Sequence, residues 1–327
     1  MDTRHAGGAP PPQARGAAAV QVLLATYNGE AYLRQQLESL LGQVGVPVRI
    51  LARDDGSSDG TRSILSEYAA RHPDRLRILP ASGRLGAMQS FAALMAASDS
   101  DYVAFADQDD VWEPDKTAVL LGRLQRLEAE NGRATPCLVH SDLRLVAKNL
   151  EPVADSFWAF SKIRPGKNRL RHLVFRNTVT GCAAMCNRAL LERALPIPAD
   201  AVMHDHWLAL CASVFGRIGV EPRALVLYRQ HGENAIGAVT EGKLPLMRMF
   251  MNFVRGRGEP IPWADLLRQP GAFSRAYGSE LPRGAAVLLA DLLSVPGRNA
   301  FMRRWLLLRH RLVPGSLLAK CILLIKV

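Results

Sequence analysis

Apolar segments and amphipathic segments alternate along this chain from residue 20, and this alternation limits its fold more than any other feature. Val20–Thr26 is a continuous β-branched and apolar run, as in a buried strand, and Glu30–Gln43 then places leucines at helical spacing. The pattern repeats, with strands predicted over Val48–Asp54, Leu76–Leu79 and Tyr102–Ala106 and helices over Thr61–His72, Ala87–Ala97 and Asp115–Glu130. Such alternation predicts an α/β fold with a mixed, mostly parallel sheet and helices on both faces.

After Pro136 the alternation loosens. The predicted elements there are the strands Cys137–Val146, Thr180–Cys186 and Ile218–Tyr228, the helices Asn187–Ala194 and His204–Phe215, and an irregular excursion over Asn149–Lys167. The first 19 residues are rich in Ala, Gly and Pro, and short apolar helices broken by Pro and Arg follow Thr240. We therefore predict a disordered leader (1–19), one α/β domain (20–240) and a basic amphipathic helical tail (241–327).

The positive charge is concentrated in the tail. The chain has a net charge of +11, and residues 241–327 hold 14 Lys or Arg against 5 Asp or Glu. Because the α/β part is close to neutral, the distribution argues against a nucleic-acid partner and favours a surface-binding tail. The tail contains three apolar runs, Leu244–Val254, Ala285–Leu293 and Leu317–Ile325, which are too short to span a bilayer. Each fits an interfacial position on anionic lipid, or packing against the α/β domain.

Cysteine usage points to a reducing compartment. The five cysteines show no CxxC pair, so the sequence predicts neither a zinc site nor a disulfide framework, and a cytosolic location fits best. An apolar run over residues 17–27 lacks a good cleavage site and leads directly into Asn28-Gly29, which disfavours a signal peptide.

Three polar clusters fall at the ends of predicted strands, over residues 26–30, 54–61 and 107–110. In open α/β sheets, ligands bind at the carboxyl ends of the strands. The chain has neither a P-loop nor a GxGxxG motif, so glycine amides do not supply a phosphate cradle. Asp107, Asp109 and Asp110 offer the oxygen ligands that Mg²⁺ or Mn²⁺ prefer, although a solvated acidic turn that caps the following helix would explain them equally well.

The second cluster contains a motif of a different enzyme class. Residues 56–60 read Gly-Ser-Ser-Asp-Gly, which matches the nucleophile-elbow pattern GxSxG and would make Ser58 a hydrolase nucleophile. Asp54 and Asp55 stand immediately before it, and their charge would oppose a developing oxyanion. The hydrolase interpretation is therefore disfavoured.

Taken together, the clusters resemble the family 2 glycosyltransferases of the GT-A fold. The matching segments are VLLATYNGE (22–30), DDGSSDGT (54–61), DQDDVW (107–112), GCAAMCNR (181–188), HDHWL (204–208) and YRQHGENAIG (228–237). The resemblance covers residues 20–240, and DQDDVW, HDHW and YRQHG are most similar to its bacterial rhamnosyltransferase-like branch. It departs from the family where Arg84-Leu85-Gly86 replaces the frequent Asn-x-Gly, which weakens the role given to Arg84.

The resemblance implies roles for individual residues. Asp205 would be the general base, Asp109 and His231 would contact the Mg²⁺ or Mn²⁺ bound to the donor diphosphate, and Asp107 would contact the ribose. The other donor-binding residues would be Thr26, Tyr27, Asn28, Glu30, Asp55, Arg84 and Gly181. Read from the residues alone, His204, His206 and His231 could be polar surface histidines, Asp205 a helix N-cap, and Cys182 and Cys186 buried apolar residues.

These roles imply an inverting glycosyltransferase. It would move a sugar from a nucleoside diphosphate sugar, with dTDP-rhamnose as the favoured donor. The acceptor would be a hydroxyl of a glycan or lipid-linked glycan, and the enzyme would act at the inner face of the cytoplasmic membrane. Two other classes stay open at this point. One is a nucleotidyltransferase or phosphohydrolase that uses the same metal site, and the other is a membrane-bound scaffold without activity.

Overall fold

One mixed sheet organises the protein. The computed structural model describes residues 19–81, 83–166, 169–230 and 263–312, and nine strands within these ranges form the sheet. The strands are β1 (Val20–Thr26), β2 (Val48–Asp54), β3 (Leu76–Ile78), β4 (Tyr102–Ala106), β5 (Val111–Trp112), β6 (Cys137–Val146), β7 (Pro152–Ala154), β8 (Ala184–Asn187) and β9 (Arg217–Arg229). Their order is β3-β2-β1-β4-β8-β6-β9-β5, with β7 paired to β6.

The first half of the sheet is parallel and the second half is mixed. β3, β2, β1 and β4 run parallel, as expected for strands joined by helical crossovers. β8 then enters antiparallel between β4 and β6, while β6 and β9 are parallel to each other. The predicted α/β sheet of the GT-A type is confirmed.

Helices cover both faces of the sheet. They are α1 (Leu33–Leu41), α2 (Thr61–Arg71), α3 (Ala87–Ala97), α4 (Lys116–Asn131), α5 (Phe157–Phe160), α6 (Leu170–Leu173), α7 (Arg188–Ala194), α8 (His204–Phe215), α9 (Trp263–Tyr277), α10 (Arg283–Ser294) and α11 (Ala300–Arg309). Alternate side chains of the strands point to opposite faces. One face packs against α1, α2 and α4, and the other against α3, α7 and α8.

The described C-terminal helices pack against the second of these faces. In α9, Phe273 and Tyr277 lie against Trp207 of α8, with ring centroids 5.5 and 5.8 Å from it. In α10, Leu289 and Leu292 are fully buried in the same core cluster.

This packing favours the second of the two alternatives for one apolar run of the tail. The run Ala285–Leu293 lies within α10, and its leucines are used in the core of the protein rather than offered to a membrane. The runs Leu244–Val254 and Leu317–Ile325 lie outside the described residues. So does the leader up to residue 18, and the predicted division at residue 240 also falls there.

The predicted strand Thr180–Cys186 is wrong in its first half. Gly181–Ala183 forms a 3₁₀ turn, and the strand starts only at Ala184. The excursion Asn149–Lys167 contains strand β7 and the short helix α5, which the sequence did not reveal because both are too short for a periodic pattern. Helix α1 starts at Leu33 rather than Glu30, because the preceding turn is held by other contacts described below.

The helices of the described ranges differ from membrane-spanning helices. None of the helices there combines the length and the apolar character that a bilayer crossing requires.

Candidate active site

The three polar clusters meet at one edge of the sheet because β1, β2 and β4 are parallel neighbours. Thr26 pairs in register with Asp54, and Leu24 with Ala106, so the three loops leave the sheet side by side. β8 runs antiparallel to β4, and the turn Gly181–Ala183 before it therefore returns to the same edge. The edge is the place where ligands bind in open α/β sheets.

Asp54 joins the first two loops. Its carboxylate accepts hydrogen bonds from the Thr26 hydroxyl at 3.1 Å, from the Ser57 backbone at 2.9 Å and from Arg62 Nε at 2.8 Å. Burial alone would raise the pKa of Asp54, but these donors outweigh it and lower the pKa. Asp54 is thus an ionised structural anchor, and the buried side chain of Thr26 is part of it.

Asn28 and Glu30 also bind the second loop. Asn28 Oδ1 accepts from the Ser58 backbone at 2.9 Å, and Glu30 Oε2 accepts from the Gly60 backbone at 2.8 Å. Asn28 has a φ of 50°, in the left-handed region that asparagine tolerates. The structure therefore places both residues at the expected edge, where their side chains fix the loop. Their contact with a nucleoside stays a prediction.

The geometry does not support Ser58 as a nucleophile. Its hydroxyl is exposed and donates to Asn28 Oδ1 at 3.4 Å. A serine nucleophile needs a base within hydrogen-bond reach, and no histidine of the described residues contacts this hydroxyl.

Asp55 holds the loop that precedes α3. Its carboxylate accepts from the backbone of Leu85 at 2.6 Å, from the backbone of Gly86 at 2.8 Å and from Arg53 Nη1 at 2.7 Å. Burial alone would raise the pKa of Asp55, yet the three donors lower it. The result is a rigid, ionised acceptor beside Arg84. Whether it also accepts from a nucleobase stays a prediction.

An exposed aromatic ring and a cation stand at the mouth of this region. The Arg84 guanidinium lies 4.2 Å from the ring centroid of Tyr27, whose side chain is 38% exposed. The Gln108 side chain accepts from Tyr27 N at 2.7 Å and donates to Tyr27 O at 2.8 Å. A stacked ring and guanidinium can receive a planar base. Because Gln108 follows Asp107, this surface adjoins the acidic cluster.

The acidic cluster carries more negative charge than its surroundings neutralise. Asp110 is fully buried, and its Oδ1 accepts from Arg229 N at 3.2 Å while its Oδ2 has no hydrogen-bond partner. Burial, together with the charges of Asp109 and Asp205, raises the pKa of Asp107 to about 7. Burial and the neighbouring aspartates also raise the pKa of Asp110. The cluster therefore fits a cation.

The residues suit a divalent cation with oxygen ligands. Carboxylate oxygens of Asp107 and Asp110 and Sγ of Cys182 lie within 4.8 Å of one another. Burial and the nearby carboxylates raise the pKa of Cys182, which disfavours a thiolate beside them. The carboxylates of the cluster are then the donors, as Mg²⁺ and Mn²⁺ prefer. Asp109, the predicted metal ligand, is not one of these three residues, although its charge helps to raise the pKa of Asp107 and of Asp110. The other predicted ligand, His231, lies outside the described residues.

A buried lysine supplies one positive charge of the chain's own. Lys116, fully buried, donates from Nζ to the Cys182 carbonyl at 2.5 Å and lies 3.0 Å from the ring centroid of Trp112. Burial lowers the pKa of Lys116 well below its usual value, and the negative charges of Asp110 and Asp107 oppose that shift.

Asp205 occupies the first turn of α8 and faces the same site. Its Oδ2 accepts from Gly181 N at 3.1 Å and its Oδ1 from His206 N at 2.5 Å. Burial raises the pKa of Asp205 to about 6, although both hydrogen bonds oppose the shift, and its charge acts on Asp107. A carboxylate that titrates close to neutrality can take a proton from a hydroxyl.

Comparison with protein families decides between the remaining classes. Residues 21–193 match the family described as "Glycosyl transferase family 2". The chain belongs to this family. It is therefore a glycosyltransferase, and nucleotide-sugar transfer is its general chemistry.

Characterised and uncharacterised relatives agree with this membership. The glycosyltransferase is 29% identical over 238 residues to the dTDP-rhamnosyl transferase RfbG of Shigella flexneri, and this match covers 69% of the chain and 78% of RfbG. It is 26% identical over 224 residues to an uncharacterised glycosyltransferase of Nostoc, covering 66% of each protein.

Solved structures confirm the GT-A fold. The chain superposes with a TM-score of 0.54 on the mannosyltransferase PcManGT of Pyrobaculum calidifontis in complex with GDP-Man and Mn²⁺, at 19% identity, covering 96% of this chain and 80% of that one. It superposes equally well on TarS of S. aureus in complex with UDP-GlcNAc, at 16% identity, covering 94% of this chain and 88% of TarS.

The glycosyltransferase site also contains residues to which the sequence analysis gave no role. Arg229 is buried, donates from Nε to the Asp109 carbonyl at 2.7 Å and from Nη2 to Gln35 at 2.8 Å, and so fixes the acidic loop. Arg229 stands in the YRQHG segment, which was the available signal. The sequence offered no reason to place Lys116 or Gln108 in the site beyond their closeness to Asp109 along the chain. Charged and polar side chains are ordinarily exposed, so neither residue was expected there.

Proposed function

We propose that this enzyme transfers a sugar with inversion from a nucleoside diphosphate sugar to an acceptor hydroxyl, with Asp205 as the general base. The observation that carries the proposal is the buried carboxylate of Asp205, oriented by two backbone amides and acting electrostatically on Asp107. A hydroxyl is a weak nucleophile and needs a base within reach. Asp205 combines the position with a pKa of about 6.

The acidic cluster is the proposed site of the metal ion that stabilises the departing nucleoside diphosphate. We assign Asp109 and His231 to a Mg²⁺ or Mn²⁺ ion that accompanies the donor diphosphate. The buried, unpartnered oxygen of Asp110 and the excess negative charge around Asp107 favour a cation there. When bound, such an ion stabilises the charge that develops on the departing diphosphate.

The nucleoside is assigned to the neighbouring edge. Tyr27 and Arg84 offer a stacking surface, and Asp55 is a rigid acceptor beside it. Asp107 would contact the ribose, and Gly181 would let the donor approach closely. We assign an indirect part in nucleoside binding to three further residues, whose hydrogen bonds fix the loops at this edge: Thr26, Asn28 and Glu30.

For the donor we favour dTDP-rhamnose. Its support is the likeness to RfbG, described as a dTDP-rhamnosyl transferase. The acceptor is proposed to be a hydroxyl of a glycan or a lipid-linked glycan. We place the enzyme in the cytoplasm, peripherally on the inner face of the membrane, because residues 241–327 concentrate the positive charge of the chain.

A donor panel tests the proposal. The purified full chain is incubated with dTDP-rhamnose, UDP-GlcNAc and GDP-mannose, each with Mn²⁺, with Mg²⁺ and with excess EDTA, and released nucleotide is measured. We expect slow release of dTDP from dTDP-rhamnose, with water in place of the acceptor, and we expect it to stop in EDTA because the metal stabilises the departing diphosphate.

The products separate the alternatives. Release of a sugar phosphate or pyrophosphate would indicate the hydrolase or nucleotidyltransferase class. Preference for UDP-GlcNAc or GDP-mannose would contradict the donor, undiminished turnover in EDTA would contradict the metal, and the absence of release and binding with every donor would support a scaffold.

A further inference from the structure

Helix α11 exposes an apolar face. Phe301, Trp305 and Leu308 are 76%, 46% and 45% exposed, and they follow one another at steps of four and three residues. Residues at this spacing share one side of a helix. The other side is anchored, because Leu306 and Leu307 are 4% exposed and Leu307 packs into the core. The orientation of the exposed face is therefore fixed by the fold.

Arginines lie along α11 and next to both of its ends. Between residues 298 and 312 the chain holds five arginines and neither Asp nor Glu. The Arg309 guanidinium lies 4.9 Å from the Trp305 ring centroid, and Arg303 donates to the Arg298 and Pro296 carbonyls at 2.7 and 3.0 Å. Asp291 of α10 pairs with His310 and Arg309. The surface thus combines aromatic rings with a local excess of positive charge.

We propose that this face of α11, formed by Phe301, Trp305 and Leu308 and bordered by Arg309, docks on the surface of an anionic lipid bilayer. Tryptophan and phenylalanine partition into the boundary between head groups and acyl chains, and arginines beside them contact lipid phosphates. Each cation near such a surface adds to the attraction. The inference deepens the proposed transfer to a lipid-linked acceptor, on which it rests.

The charge pattern favours lipid over another copy of the chain. A symmetric contact through α11 would bring two arginine-rich segments together, and like charges across an interface oppose association. The helix has ten residues, which is about half of what a bilayer crossing needs, so it would lie along the surface.

Vesicle co-sedimentation tests the surface. The full chain is compared with the double variant Phe301→Ser/Trp305→Ser on vesicles of phosphatidylcholine alone and of phosphatidylcholine with phosphatidylglycerol. We expect the wild type to prefer the anionic vesicles and the double variant to bind them at least about tenfold more weakly. The matched control Val44→Ser/Val153→Ser removes two apolar side chains of similar exposure elsewhere, 54% and 56%, and should bind as the wild type.

Two further measurements make each outcome decisive. Donor hydrolysis without vesicles should be equal in all three proteins, which shows that the variants are folded; loss of hydrolysis in the wild type would refute the proposed function and not the surface. Equal vesicle binding by the double variant and the wild type would overturn the surface. So would analytical ultracentrifugation showing a wild-type dimer that the double variant cannot form, because the face would then cover a second copy.

Discussion

At the scale of single residues, the site depends on a small number of buried charges. The half-buried Asp107 lies near the buried Asp110 and Lys116, and the pKa of each is displaced by burial and by neighbouring charges. Buried ion pairs contribute little net stability when complete, but removing one partner is costly. The lysine therefore offers the acidic cluster a positive charge, which Asp107 and Asp110 favour and burial opposes.

Replacing Lys116 by Met tests this role. The variant removes the charge with little change in volume, and we expect the free energy of unfolding to fall by about 1–3 kcal/mol without added metal, because the buried Cys182 carbonyl loses its donor. Saturating Mn²⁺ should restore part of that loss, because the ion supplies the missing positive charge. Urea denaturation with and without Mn²⁺ measures both effects.

Lys148→Met is the control, since that side chain is exposed. Its denaturation curve should match the wild type under both conditions. If Lys116→Met loses stability that Mn²⁺ does not restore at all, the lysine is coupled to packing and not to the cation site.

At the scale of elements, the start of α8 is positioned by a glycine. A Cβ at Gly181 would lie 2.8 Å from His204 Nε2 and 3.5 Å from Asp205 Cβ. His204 cannot move away easily, because it is 3% exposed and its ring stacks on Phe91 with centroids 3.9 Å apart. The Gly181 amide also orients Asp205. The glycine thus lets the turn and the helix approach closely.

We expect Gly181→Ala to displace the first turn of α8. The strain should lower stability by about 1–3 kcal/mol, as overpacking does in other cores, and should lower the turnover number through misplacement of Asp205. Thermal denaturation and donor turnover measure the two effects. Gly284→Ala is the matched control, because a Cβ there meets open space, and it should retain both. Full turnover in Gly181→Ala would show that the contact is not critical.

The strands and long helices were predictable from sequence, and the turns were less so. Val48–Asp54 and Cys137–Val146 match their predicted bounds, because short apolar stretches such as Ile50–Ala52 and Cys137–Val139 indicate strands. Gly181–Ala183 was mistaken for strand, since apolar residues in a 3₁₀ turn read the same way. Asp205 and Asp107 lie in one site because β8 runs antiparallel to β4. No local sequence pattern predicts this strand direction, and only the family resemblance indicated that the two residues share a site.

At the scale of the whole molecule, stability responds to acid through opposing groups. Burial lowers the pKa of His140 to about 4, and both of its ring nitrogens lack partners. The unfolded chain takes up this proton near the ordinary pKa of 6.5, so the stability tied to neutral His140 is present above that pH and lost as the pH falls toward 4. Asp205 and Asp107, whose pKa values are raised, act in the opposite direction.

Substituting His140 isolates one of these contributions. Between pH 7 and pH 5, His140→Leu should lose about 2 kcal/mol less stability than the wild type, because the variant has no proton to take up on unfolding. The carboxylates contribute equally to both proteins and cancel in the comparison. Chemical denaturation at each pH measures the free energy of unfolding of both proteins. Equal losses of this free energy in the two proteins would contradict the lowered pKa of His140.

The proposed mechanism depends on Asp205 as the general base of sugar transfer, and the variant Asp205→Asn tests this role. The asparagine keeps the size of the side chain and, through its amide oxygen, one acceptor for the Gly181 or His206 amide. Calorimetry with the nucleoside diphosphate and Mn²⁺ should give nearly the wild-type affinity, while donor turnover falls by about 10²–10⁴-fold, as general-base removal does. Turnover close to that of the wild type, or a loss of affinity as large as the loss of turnover, would contradict the role of Asp205.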